Sequence, residues 1–208
     1  MNWLRKLNNV AKIFVISDTH FGHDNIISFE SHYRGHFKNS KEMDEFMIDM
    51  WNQTVSNEDT VYHLGDVAFK GSIDIVSKLN GHKVLIMGNH DNGVTTKKFE
   101  QVGFKEIYGM KKLNRKFFLT HCPMHPVEIG MYPNVMNIHG HIHSRLVFTK
   151  DLKPDARYVN VGVELTGFKP INLEEIYEFQ RDTFNNKEIV NRALIKQQED
   201  FKRCQIQL

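Results

Sequence analysis

The chain has 208 residues, 40% hydrophobic and 25% charged, with a formal net charge of +2. That balance reads as a soluble globular protein and gives no reason to expect a strong electrostatic hold on membranes or nucleic acid, although a local basic groove is compatible with it. Two cysteines exclude a disulfide framework, and the absence of a signal-like or membrane-length apolar stretch leads to a cytoplasmic expectation.

Residues 12–16 form a β-branched apolar run that stops at Ser17-Asp18 and read as a buried strand. A short helix is expected over 25–29. The clearest helix of the first half covers 39–55. Asn39 can cap it, Glu42 suits a capping box, and Met43, Phe46, Met47, Met50, Trp51 and Val55 form one apolar stripe. Residues 60–64 read as a strand, 72–79 as a short helix ended by Gly81, and 83–87 as a strand. This alternation argues for crossover units in an α/β (α+β layered) fold.

A helix over 97–102 and strands over 105–108, 116–120 and 135–139 follow. Pro123, Pro126 and Pro133 mark an irregular loop. Residues 145–149 and 157–163 are expected to pair as a hairpin. Asn172 can cap a short helix, and 185–208 read as a C-terminal helix that packs on the domain or on a partner. No repeat or linker interrupts the chain, so 1–208 reads as a single domain.

Histidine is the unusual residue, with twelve copies. Five of the twelve fall in five polar clusters: Asp18-Thr19-His20, Gly65-Asp66, Gly88-Asn89-His90-Asp91, His121 and Gly140-His141-Ile142-His143. Four of these clusters follow directly on an apolar run, where a rigid sheet positions a loop. Asp18 and His20 are two residues apart, as are His141 and His143. In extended backbone such pairs share one side and can reach one ion. Asp66, Asn89 and His121 add single donors.

Taken alone, Asp-x-His or Gly-Asp is an ordinary turn. The joint occurrence is what points to a metal. Two Asp, one Asn and four His with no thiolate suit Mn²⁺ first, with Fe, Ni²⁺, Zn²⁺ or Mg²⁺ as alternatives, ahead of Ca²⁺. Seven donors are too many for one such ion. They suit two ions, about 3.5–4 Å apart, that share a carboxylate.

The order Asp-x-His, Gly-Asp, Gly-Asn-His-Asp, His, Gly-His-x-His resembles the calcineurin-like metallophosphoesterases, and the resemblance covers roughly residues 12–180. It implies a two-sheet β-sandwich flanked by helices in four layers. It implies that Asp18, His20 and His143 hold one divalent metal ion, that Asn89, His121 and His141 hold the other, and that Asp66 bridges. It further implies a phosphoesterase in which a metal-bound hydroxide attacks phosphorus. His90 would stabilise the phosphoryl group or protonate the leaving oxygen, with Asp91 orienting it. The expected substrate is a small phosphoester, a phosphodiester or nucleotide ahead of a phosphomonoester. A non-catalytic metal-binding scaffold and a nuclease of the same superfamily are the alternatives. The intact donor set argues against the scaffold, and the weak net charge against tight binding of long nucleic acid.

Three further residues are candidates for substrate binding. His23 and Asn25 follow the first cluster, and Arg34 lies in a polar segment, with His36, that could cover the site and grip phosphate. His63 reads as a satisfied core histidine, His125 as a possible pocket-lining residue, and Cys122 as packing.

Overall fold

The computed structural model describes residues 10–69, 71–132 and 134–185. Trp3, Lys70, Pro133, Cys204 and the part of the expected C-terminal helix beyond residue 185 lie outside the described residues.

Two sheets carry the fold. The first has the order β4 (Phe104–Tyr108), β3 (His82–Ile86), β2 (Thr60–His63), β1 (Ile13–Ile16), β9 (Ile171–Asn172). Its first four strands are parallel and β9 closes the edge antiparallel. The second sheet runs β5 (Met110–Leu113), β6 (Phe117–Thr120), β7 (Met136–His139), β8 (Tyr158–Asn160). Here β5 and β6 form an antiparallel hairpin, while β6, β7 and β8 are parallel.

The continuous apolar strands serve two cores at once, because successive side chains point to opposite faces. In β1, Phe14 and Ile16 face the helices while Val15 faces the second sheet. In β3, Leu85 takes the first side and Val84 and Ile86 the second. Phe117, Leu119, Met136 and Ile138 meet that inner face from the other sheet. The result is a sandwich. Helices α1 (Asp24–Phe29), α2 (Ser31–Arg34), α3 (Ser40–Thr54) and α4 (Thr96–Gln101) precede or link strands of the first sheet. Helix α5 (Pro126–Gly130) places Ile129 in a small outer core with Phe118 on the second sheet. Helix α6 (Val163–Thr166) precedes β9, and α7 (Leu173–Asn185) packs Leu173 and Ile176 into the inter-sheet core.

Helix α3 starts as the sequence predicts, with Asn39 Oδ1 accepting the Glu42 N–H at 3.0 Å. The Glu42 carboxylate reaches back one residue farther than a capping box, to the Lys38 N–H at 2.9 Å. Of the predicted stripe, Met43, Met47, Trp51 and Val55 are buried at four-residue steps, whereas Phe46 is exposed beside Phe37 and Phe168.

The expected hairpin of 145–149 with 157–163 does not form. β8 pairs parallel with β7 instead, and only an isolated Phe148–Pro154 bridge joins the connecting loop. Strand β5 was not legible, since its alternation of exposed and half-buried residues includes two lysines. The 72–79 helix is a 3₁₀ helix, Ser72–Lys78. Among the described residues, no helix is long and apolar enough to cross a membrane.

Candidate metal centre

Strands β1, β2, β3, β6 and β7 each deliver one cluster into the loop that follows them. The loops are locked to one another by backbone bonds. Asp18 N–H donates to Gly65 O at 3.1 Å, His20 N–H to Asp66 O at 3.0 Å, and Gly140 N–H to His121 O at 2.9 Å. Close approach requires glycine at Gly88 and Gly140. A Cβ on Gly88 would lie 2.3 Å from Asp66 Oδ1, and one on Gly140 would lie 2.2 Å from Asp18 Oδ2.

All seven predicted donors converge. Donor atoms of Asp18, His20 and His143 lie within 4.8 Å of one another, as do those of Asp18, Asp66 and His121. Asp66 Oδ2 is 3.7 Å from His20 Nε2 and 3.4 Å from His121 Nε2. Asn89 Oδ1 lies 2.9 Å from His121 Nε2, and the His141 and His121 rings are 5.0 Å apart.

The two-residue spacing of Asp18 with His20 and of His141 with His143 predicts extended backbone at these pairs, but these donors sit in left-handed backbone instead. Asp18, His20, Asp66, His141 and His143 all have positive φ, between 49° and 68°. They are five of the ten non-glycine residues with positive φ among those described. Each left-handed residue costs about 1–2 kcal/mol. Such conformations persist where the surrounding structure enforces them, and they collect at functional sites.

The electrostatics fit a cation. Asp18 is fully buried, and burial pushes its carboxyl up to about 6 against the pull of His121 and His143. Burial also acts to raise Asp66, but its bond to His121, the His121 charge, the His90 N–H and the His20 charge outweigh that and hold it at about 2. His20 is pushed down to about 3 by burial, so its imidazole is neutral at pH 7. Its Nε2 is buried without a hydrogen-bond partner. An orphaned imidazole nitrogen facing an ionised carboxylate is what a metal would satisfy.

Supporting groups orient the donors. His121 Nδ1 contacts Leu64 O at 2.7 Å, which leaves Nε2 directed at the centre. His143 Nδ1 contacts the buried Glu164 carboxylate at 3.1 Å. Glu164 in turn pairs with Arg34, whose Nη2 lies 2.5 Å from Oε1.

The sequence profile of the calcineurin-like phosphoesterase superfamily domain matches residues 11–169. The chain belongs to that superfamily. Members are hydrolases of phosphoesters that typically bind divalent metals, and the converging donors are candidates for that role. The chain is 34% identical over 175 residues to an uncharacterised protein of Methanocaldococcus jannaschii, covering 81% of this chain and 90% of that one. It is 26% identical over 201 residues to the Gene 66 protein of Mycobacterium phage L5, covering 81% and 94%. A crystal structure of a protein of unknown function from Aquifex aeolicus superposes with a TM-score of 0.62 at 29% identity, covering 81% of this chain and 99% of that one. The two-sheet layered architecture expected from the motifs is the observed one.

Three expectations about individual residues, Arg34, Asp91 and Cys122, need correction. Arg34 does not cover the centre from a loop. It ends α2, is fully buried, and donates to Glu164, to Asp18 O at 2.7 Å and to Thr19 O at 3.2 Å. Asp91 does not orient the His90 imidazole. Its carboxylate accepts three backbone N–H groups, Gly88 at 2.8 Å, Asp66 at 2.9 Å and Val67 at 3.0 Å, which staple the second and third clusters together. Asn25 needs no such correction: it is exposed on α1 and makes no hydrogen bond to a candidate ligand among the described residues. Cys122 is not a packing residue. It is exposed, with a free thiol near His121 and His141.

The remaining predicted groups fall into clear positions. His23 caps α1 by accepting the Ile26 N–H at 3.0 Å, and its ring stands edge-on to His20 at 5.8 Å. His90 donates its backbone N–H to Asp66 Oδ1 at 2.9 Å, and its exposed ring lies 5.5 Å from that of His20. His125 caps α5 by accepting the Val127 N–H at 3.3 Å. His63 is buried and contacts Thr19 Oγ1 at 2.9 Å. Sequence reasoning missed Glu164. The one signal was a lone carboxylate directly after Val161-Gly162-Val163, where the apolar run leads inward.

Proposed function

We propose that this protein is a binuclear, divalent-metal-dependent phosphoesterase acting on small phosphodiesters or nucleotides. The observation that carries the reading is Asp66 Oδ2, set between His20 Nε2 at 3.7 Å and His121 Nε2 at 3.4 Å. A carboxylate so placed suits a shared ligand. Asp18, His20 and His143 would hold one ion, and Asn89, His121 and His141 the other. The oxygen and imidazole donors suit Mn²⁺ first, then Fe, Ni²⁺, Zn²⁺ or Mg²⁺. When bound, such a pair supplies Lewis acidity toward phosphoryl oxygens and lowers the pKa of water toward neutrality.

The chain's own residues would do the rest. Asp18 and Asp66 supply the negative charge that draws cations in. His90 stands exposed above His20, where it can donate a proton to a leaving oxygen or a hydrogen bond to the phosphoryl group. The centre is open, since Asn89, His90 and Cys122 are all exposed at its rim. An open site admits a phosphodiester with a group on each side. The free Cys122 thiol suits a reducing, cytoplasmic location.

The test is hydrolysis of bis-p-nitrophenyl phosphate and p-nitrophenyl phosphate by chelated protein to which single divalent ions are returned. Turnover should vanish in EDTA and return with Mn²⁺, the diester being the better substrate. His90→Asn should lower kcat by about 10²–10⁴ while metal occupancy is retained. Full turnover after thorough chelation would refute the reading.

A further inference from the structure

The second half of the centre carries a donor that the ligand set above leaves out. Cys122 Sγ lies with imidazole nitrogens of His121 and His141 so that all three are within 4.8 Å of one another. Its position is set by buried structure. Thr120 Oγ1 donates to Cys122 O at 2.6 Å, and the buried Asn137 amide donates to Thr120 Oγ1 at 2.9 Å. Asn137 Oδ1 also accepts the Met124 N–H at 2.8 Å, so one side chain pins the loop on both sides of the cysteine. The neighbouring His20 Nε2, buried and without a partner, opens into the same centre. Thiolates favour softer cations than the oxygen donors around Asp66 do.

We propose that Cys122 is a metal ligand, so that the His121–His141 half of the centre takes a thiophilic divalent cation, Zn²⁺ or Co²⁺, through a sulfur bond. The half built by Asp18, His20 and His143 keeps only oxygen and nitrogen donors. The two halves therefore differ in chemical taste, and the centre favours a mixed pair of ions. On binding, the thiol gives its proton to solvent as the sulfur–metal bond forms, with no change of oxidation state. This inference rests on the two-metal reading.

Cobalt separates the two ideas without any activity assay. The chelated full chain is titrated with Co²⁺ and its absorption spectrum recorded. Visible d–d bands report that cobalt is held by the centre. A sulfur-to-cobalt charge-transfer band in the near ultraviolet reports the thiolate. We expect both sets in the wild type and in Cys204→Ser. In Cys122→Ser the charge-transfer band should be lost while d–d bands remain, and Zn²⁺ affinity should fall more than Mn²⁺ affinity. d–d bands without a charge-transfer band in the wild type would overturn the Cys122 assignment and leave the two-metal reading standing. A charge-transfer band that survives Cys122→Ser and disappears in Cys204→Ser would overturn it as well. No bands at all would defeat both.

Discussion

Glu164 answers two neighbours at once. Arg34 is fully buried behind the centre, and His143 reaches in from the front. Burial alone would raise the Glu164 carboxyl, but the charges of Arg34 and His143 hold it at about 2. Against an ordinary value of 4.5 that shift corresponds to about 3 kcal/mol, present above pH 4.5 and lost as pH falls through 2. Glu164→Gln should therefore destabilise the chain by about 3 kcal/mol in urea unfolding at pH 7, because Arg34 is left as an uncompensated buried charge. Arg34→Met added to Glu164→Gln should recover part of that loss. Strict additivity of the two would sink the pairing argument. His63 loses its contribution in the same direction of pH, but as a group held neutral and not charged. Burial pushes it down to about 3, so the folded chain holds it neutral while the unfolded chain protonates it near 6.5. Its contribution is complete above pH 6.5 and fades toward pH 3, by about 1.4 kcal/mol per pH unit. The stability gap between wild type and His63→Gln, measured by urea midpoints in EDTA, should narrow between pH 6 and pH 4. A gap that does not change with pH would contradict a neutral, buried His63.

At the scale of elements, the loops after five strands carry the centre, and their mutual fit depends on missing side chains. A Cβ at Gly140 would meet Ser17 Oγ at 1.9 Å and Asp18 Oδ2 at 2.2 Å. Gly140→Ala should displace the Asp18 carboxylate and weaken Mn²⁺ binding in calorimetric titration, with far-ultraviolet circular dichroism unchanged. Gly93→Ala is the control, since its Cβ would meet nothing within 4 Å. It should bind Mn²⁺ like the wild type and stay within about 0.5 kcal/mol in stability. Equal affinity in all three proteins would show that the glycine contact does not set the site. The strand ends were legible because each is an apolar run followed by a polar residue. The partner of each strand was not. Residues 157–163 looked like half of a hairpin, but β8 lies parallel to β7 because Tyr158, Val159 and Asn160 register with Asn137, Ile138 and His139 across a long connection. Pairing over such a distance leaves no local mark.

For the whole molecule, the centre concentrates buried charge and left-handed backbone in one place, and a bound cation should repay both. A ligand that binds only the folded state at a hundred times its Kd adds about 2.7 kcal/mol. Mn²⁺ should raise the Tm of the chelated protein by several degrees, and EDTA should reverse the rise. No shift with Mn²⁺, Zn²⁺, Co²⁺ or Ni²⁺ would mean the centre holds none of them. The amino-acid order alone pointed to seven candidate donors and to the layered α/β class, since strand periodicity, apolar runs and donor chemistry are local properties. Tertiary structure alone decided that Arg34 faces inward to Glu164, that Asp91 staples backbone, and that Cys122 stands beside His121 and His141. Those positions depend on which groups distant in the chain meet in space, and burial turns the same arginine or aspartate from a surface group into a strut.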